Sequence, residues 1–131
     1  MNITTKKSVW AVVAGILFVI VVTTLFDIAL HAVGVFPPLG DPIDDRLSLI
    51  ATLYRFVIGI AGGYLTAKLA PANPMKHAMV PGIIGTILGT LGVVVSWGSK
   101  LGPAWYPIAV AALAIPQSWI GYMFYRTLKA R

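Results

Sequence analysis

The sequence predicts an all-α fold: a bundle of four transmembrane helices, consecutive neighbours antiparallel, with both termini in the cytoplasm. Three observations predict it. Of the 131 residues, 58% are hydrophobic and only 11% charged, and mean hydropathy is +0.86. Soluble domains carry roughly 25% charged residues, so a chain with so few cannot cover a water-facing surface of this size. Four apolar runs each reach the ~20 residues a helix needs to cross a bilayer core of about 30 Å. The basic residues gather at the ends of those runs, mostly on one side, as in oriented membrane proteins.

The length fits a single domain, residues 1–131. The first span runs from about Val9 to Leu30, preceded by Lys6 and Lys7. A secretion signal shares that opening, but its apolar core is roughly 7–15 residues. This run is longer and lacks a small-x-small cleavage site, so a retained anchor is expected. The connection HAVGVFPPLGDPIDDRLS contains prolines that break a helix, and Asp44 or Asp45 suits the N-cap of the second span, about Leu49 to Ala70. PANP, Pro71 to Pro74, is a tight hairpin in which Asn73 is expected to cap the third span and Pro74 to occupy its first turn. That span covers about His77 to Trp97. GSKLGP then turns the chain into the fourth, about Trp105 to Arg126.

Direction follows from the bases. Lys6, Lys7, Lys68, Lys76, Arg126, Lys129 and Arg131 fall on one side; Arg46 and Lys100 fall on the other, beside Asp41, Asp44 and Asp45. Seven against two places the termini and the PANP loop in the cytoplasm, in a bacterial inner membrane. Trp97, Trp105 and Tyr106 then mark the outer interface, and Trp10, Tyr122 and Tyr125 the inner one. The net charge of +6 would suggest nucleic acid in a soluble protein; spread over helix ends, it does not. The lipid bilayer is the expected partner.

Helices in lipid associate through close packing of small residues. The third span carries a continuous stripe through Gly82, Gly85, Gly89, Gly92, Ser96 and Ser99, with Thr86 and Thr90 beside it. The second has Gly59, Gly62, Gly63, Thr66 and Ala70, and the fourth Ala111, Ala114, Ser118 and Gly121. Gly59, Gly63, Gly82, Gly85, Gly89 and Gly92 are the expected packing positions. They serve a compact bundle, a homodimer, or docking on a larger membrane complex.

Arg55 stands six residues inside the second span, about 9 Å deep, in line with Gly59. An arginine at the bilayer centre costs roughly 2.5–3.5 kcal/mol on the insertion scale. It needs a partner, and Asp27 is the only acid inside a span. His31 lies one turn above Asp27, while Arg46 and the acidic loop are competing partners. The pair is expected first to set helix register. The other reading is a solute or proton site, since ionisable groups within a membrane are functional candidates, though the position near the outer surface rather than the midplane tempers it. Pro116 and Gln117 fall near mid-membrane in the fourth span. Pro116 frees the Ala112 carbonyl, and Gln117 is a candidate to satisfy such exposed polarity, bond a neighbouring helix or contact a solute. Thr23 and Thr24 lie near Asp27.

Catalytic signatures are missing. There is no cysteine, no phosphate-binding G-x-x-x-x-G-K-[ST] and no H-E-x-x-H, and His31 and His77 belong to opposite sides. No catalytic residue, cofactor or metal is expected, and no enzyme.

The stretch YRFVIGIAGGYLTAKLAP, Tyr54 to Pro71, followed by PMKHA, resembles a type of small, uncharacterised four-helix inner-membrane protein of bacteria. That resemblance implies fold and location but no activity. Small multidrug exporters share the size, the four spans and a carboxylate in the first span. Theirs is a glutamate deep in the membrane, whereas this chain has no glutamate and Asp27 lies near the outer edge. Two functions are therefore expected: foremost a non-enzymatic accessory or interaction subunit packing through glycine faces, and second a small-solute or proton transporter or channel built on Asp27, Arg55, His31 and Gln117.

Overall fold

The computed structural model of the protein describes residues 2–130; Arg131, counted above among the inner bases, lies outside them. Four helices follow one another: α1 (Ile3–Ala32), α2 (Asp45–Leu69), α3 (Pro74–Ser96) and α4 (Trp105–Lys129). All four are long and apolar enough to span a membrane. At 30 residues and ~1.5 Å per residue, α1 extends about 45 Å, well beyond the hydrocarbon core.

Each boundary has a local cause. The Asn2 side chain accepts from Thr5 N–H at 2.8 Å and starts α1 ahead of Lys6 and Lys7. α1 ends where Gly34 takes φ +82°, and Val35 N–H closes on the Leu30 carbonyl at 2.9 Å. That is the six-residue closure glycine permits after a helix. The Asp44 carboxylate accepts from Leu47 N–H at 2.8 Å and caps α2. Asp45 in the first turn and Lys68 in the last both oppose the helix dipole. At the start of α3 the structure corrects one expectation. Asn73 makes no side-chain cap; it adopts a left-handed conformation, φ 47°, and Pro74 opens the helix behind it. Asparagine tolerates that region, and the tight PANP turn uses it for reversal instead of capping.

The interior is made of small residues. Ala11, Ala51, Ala67, Ala78, Ala111 and Ala114 are buried, as are Thr66 and Ser118. Large aliphatic residues face outward instead, Val95 at 85% and Val57 at 64% exposure. In water this arrangement would forfeit the hydrophobic effect; in lipid it leaves the driving force to close packing.

α2 touches all three other helices and α4 packs on α2 and α3, whereas α1 and α4 have no Cα atoms within 8 Å of each other. The glycines set the approach. A Cβ on Gly121 would collide with the Ile60 carbonyl and come within 2.6 Å of Tyr64 N. One on Gly63 would lie 2.8 Å from the Ser118 carbonyl oxygen, and one on Gly89 2.8 Å from Ala111 Cα. Gly82 and Gly85 meet Ser118 and Ala114, and Gly15 of α1 meets Gly62 and Thr66. Partner numbers rise together between α2 and α4, from Gly59–Gln117 to the Gly121 contacts. Between α3 and α4 they run in opposite order, Gly82–Ser118 and then Gly89–Ala111.

Gly92 departs from its stripe. A Cβ there meets nothing within 4 Å. Stepping the α3–α4 pairing from Gly89 and Ala111 toward the C-terminal end of α3 brings Tyr106 and Pro107, in the first turn of α4, opposite Gly92. There the helices separate around a cavity of about 620 Å³ lined by Gly92, Ser96, Trp97, Tyr106 and Pro107. A proline ring and the GSKLGP turn hold the helices apart where glycine alone would have let them close.

Candidate functional site

The C-terminal part of α1 and the N-terminal part of α2 bring the charges of Asp27 and Arg55 together. The Arg55 guanidinium donates through Nη2 to Asp27 Oδ2 at 2.8 Å. The other carboxylate oxygen, Oδ1, accepts from the Tyr54 hydroxyl. Asp27 is thus held on both oxygens by consecutive residues of α2. The Arg55 guanidinium carbon also lies 5.6 Å from the centre of the Tyr54 ring, close enough for the ring face to attract it, and Phe26 packs on the same ring at 5.7 Å.

His31 joins through the backbone rather than the carboxylate. Its Nδ1 is 2.7 Å from the Asp27 carbonyl oxygen. A carbonyl only accepts, so Nδ1 is the donor in this contact. Phe36, buried in the loop after α1, stacks on the imidazole at 5.4 Å and 24°.

These groups are not sealed between helices. Asp27, His31, Tyr54, Arg55 and Tyr106 line a cleft of about 270 Å³, roofed by Phe36 to Asp41 and by Ile43. Two contacts tie the roof down. Ile43 N–H donates to the Leu101 carbonyl at 2.8 Å, and Trp105 Nε1 donates to Asp45 Oδ1 at 2.7 Å. Two of the competing acids are engaged elsewhere: Asp44 caps α2 and Asp45 accepts from Trp105.

Gln117 does not line this cleft but shares a neighbouring space with Arg55. The Gln117 amide packs where Gly59 lacks a side chain and borders that deeper space with Thr23 and Thr52. Thr52 itself donates to the Ser48 carbonyl at 2.8 Å. At the opposite end of the molecule, His77 Nδ1 faces the Asn73 carbonyl at 3.0 Å and Nε2 the Ser8 hydroxyl at 2.9 Å, tying the start of α3 to that of α1. The two histidines are therefore far apart.

Sequence reasoning missed Tyr54 as a partner of Asp27 and placed Tyr106 only in the interfacial belt. The signal for Tyr54 was its position beside Arg55: a carboxylate has two oxygens, and one arginine bond leaves the second in need of a donor. For Tyr106 no such signal existed, because its place depends on how α4 meets α2.

Comparisons with protein-family models, with curated proteins and with solved structures gave no match. The site's own chemistry must carry the functional reading.

Proposed function

We propose that this is a non-enzymatic integral protein of the bacterial inner membrane, with consecutive spans antiparallel and both termini cytoplasmic, whose work is done at the outer cleft. There it binds, or passes onward, a small solute or a proton, using Asp27 and Arg55. The observation that carries this reading is the cleft itself: the ion pair, Tyr54 and His31 border open volume, whereas a pair serving register alone could be closed over by packing. The charge asymmetry supports the orientation, and the opposed order of contacts between α3 and α4 supports the antiparallel arrangement. The test is flux of protons or of small solutes into vesicles containing only this protein. Flux abolished by Asp27→Asn supports the proposal; vesicles indistinguishable from protein-free ones sink it.

The accessory-subunit reading rests on narrower ground than the sequence implied. Gly59, Gly63, Gly82, Gly85 and Gly89 are taken up by contacts within the chain. The open end of the α3 stripe, Gly92 with Ser96 beside the 620 Å³ cavity, is the surface that remains for a second copy or a larger complex. Co-purification of a stoichiometric membrane partner, lost on Gly92→Leu, would favour it.

A further inference from the structure

Directly inward of the outer cleft is a second space of about 170 Å³, bordered by Thr23, Thr52, Phe56, Leu113 and Gln117. Arg55 borders both spaces. One face of α1 descends from the first to the second in steps of four: His31 and Asp27 line the cleft, Thr23 and Val19 the inner space. The two centres on α1 are eight residues apart, about 12 Å along the axis. The ion pair stands between them.

The inner space has a structural origin. α1 and α4 both line it yet none of their Cα atoms come within 8 Å of each other, while each packs on both α2 and α3. Gln117, which borders it, is the midpoint of α4, Trp105–Lys129. At that depth a purely apolar cavity would stay dry or fill with lipid. Two threonines, an amide and a guanidinium border this one, and Arg55 Nε is buried without a hydrogen-bond partner among the described residues. A buried donor without an acceptor costs about 1–3 kcal/mol, and more when charged. The volume accommodates several waters at about 30 Å³ each.

We infer that the inner space, apolar over most of its wall with Thr23, Gln117 and Arg55 at its polar points, is a chamber for small uncharged hydrogen-bonding molecules, of which water is the simplest, and that the Asp27–Arg55 pair is the barrier across its outer entrance. Charge sets the class: Asp27 balances Arg55, so an ion in the chamber would find no free counter-charge at a depth where ions are costly. The inference rests on the outer cleft being the working face of the protein.

Because the chain has no cysteine, single thiols report directly on water. Full-length Gln117→Cys is placed in vesicles and treated from the outer side with small neutral, cationic and anionic methanethiosulfonates. Leu39→Cys, at the cleft rim, is the exposed reference, and Val57→Cys the lipid-facing one. Expected is slow but measurable modification of Gln117→Cys, fastest with the neutral reagent, that becomes about tenfold faster on adding Asp27→Asn, a barrier lowered by about 1.4 kcal/mol. Should Asp27→Asn fail to fold, Tyr54→Phe, which frees one carboxylate oxygen without unpairing a charge, makes the same comparison. Reactivity at the Val57→Cys level in both backgrounds removes the chamber. A rate equal to that of Leu39→Cys, or unchanged by loosening the pair, removes the barrier, and preference for a charged reagent removes the assignment of ligand class. This readout is independent of flux: accessible thiols without transport sink the transport proposal alone, and transport with an inaccessible Gln117→Cys sinks the chamber alone.

Discussion

In the proposed orientation, the inner half of the bundle (the PANP end) and the outer half (the GSKLGP end) are built differently. In the inner half backbone meets backbone: Gly121 against Ile60 and Tyr64, Gly63 against Ser118, Gly15 against Gly62. In the outer half such close approach stops at Gly89 and Ala111; beyond it the helices open, and the spaces between them are bordered by Asp27, Arg55, Tyr54 and Tyr106 on one side and by Gly92 and Trp97 on the other. The contrast shows that small residues alone do not close a membrane bundle. Gly89 and Gly92 belong to one stripe, yet only Gly89 is in contact, because α4 begins its outer end with Trp105, Tyr106 and Pro107 where α3 would need small residues opposite it.

The largest effect should come from breaking the inner half. Gly121→Leu forces a side chain into the backbone of α2, which has no flexible end to move aside; overpacking of this kind costs about 1–3 kcal/mol or more. Membrane abundance and the midpoint of thermal unfolding should both collapse, and normal values would show that the inner contact is loose. Next comes the ion pair. Asp27→Arg or Arg55→Asp leaves like charges facing each other near the outer edge of the membrane and should lower stability by about 2 kcal/mol, below the roughly 2.5–3.5 kcal/mol of an unpaired charge at the bilayer centre. The double swap should recover much of the loss in the same thermal assay. Singles as stable as the parent would break the pairing argument.

Smaller effects sharpen the comparison. Tyr54→Phe removes one donor to a carboxylate that keeps its arginine and should cost about 1.5 kcal/mol, in the range of hydrogen bonds to charged groups, measured by thermal unfolding. Last are two alanine substitutions of stripe glycines. Gly59→Ala meets only the flexible Gln117 amide and should be mildly destabilising. Gly92→Ala meets nothing and should be neutral or stabilising by up to about 1 kcal/mol through helix propensity. A marked loss of abundance for Gly92→Ala in membranes would instead reveal a partner packed on that face.

Much of the candidate site was legible before any coordinates. Asp27 and Arg55 are the only acid and the only base well inside the apolar runs, and opposite charges in lipid have few alternatives to meeting. What was not legible was their setting. The sequence grouped Gln117 with the charges because both are polar; Gln117 shares the deeper space with Arg55 and packs against Gly59, while Asp27 and His31 line the cleft. It treated Asn73 as a cap because of its residue type, while the geometry of a four-residue reversal required a left-handed conformation there.

Composition and run length by themselves determined that four helices of this chain can cross a membrane, and roughly where each begins and ends. Transfer of a helix into lipid depends on the residues of that helix alone, so the information is local. Charge counting likewise supplied an orientation to be tested. Which glycines touch, where cavities open and what lines them were decided only in three dimensions. These properties depend on the distance between helices far apart in the chain, above all on α1 and α4 having no Cα atoms within 8 Å of each other.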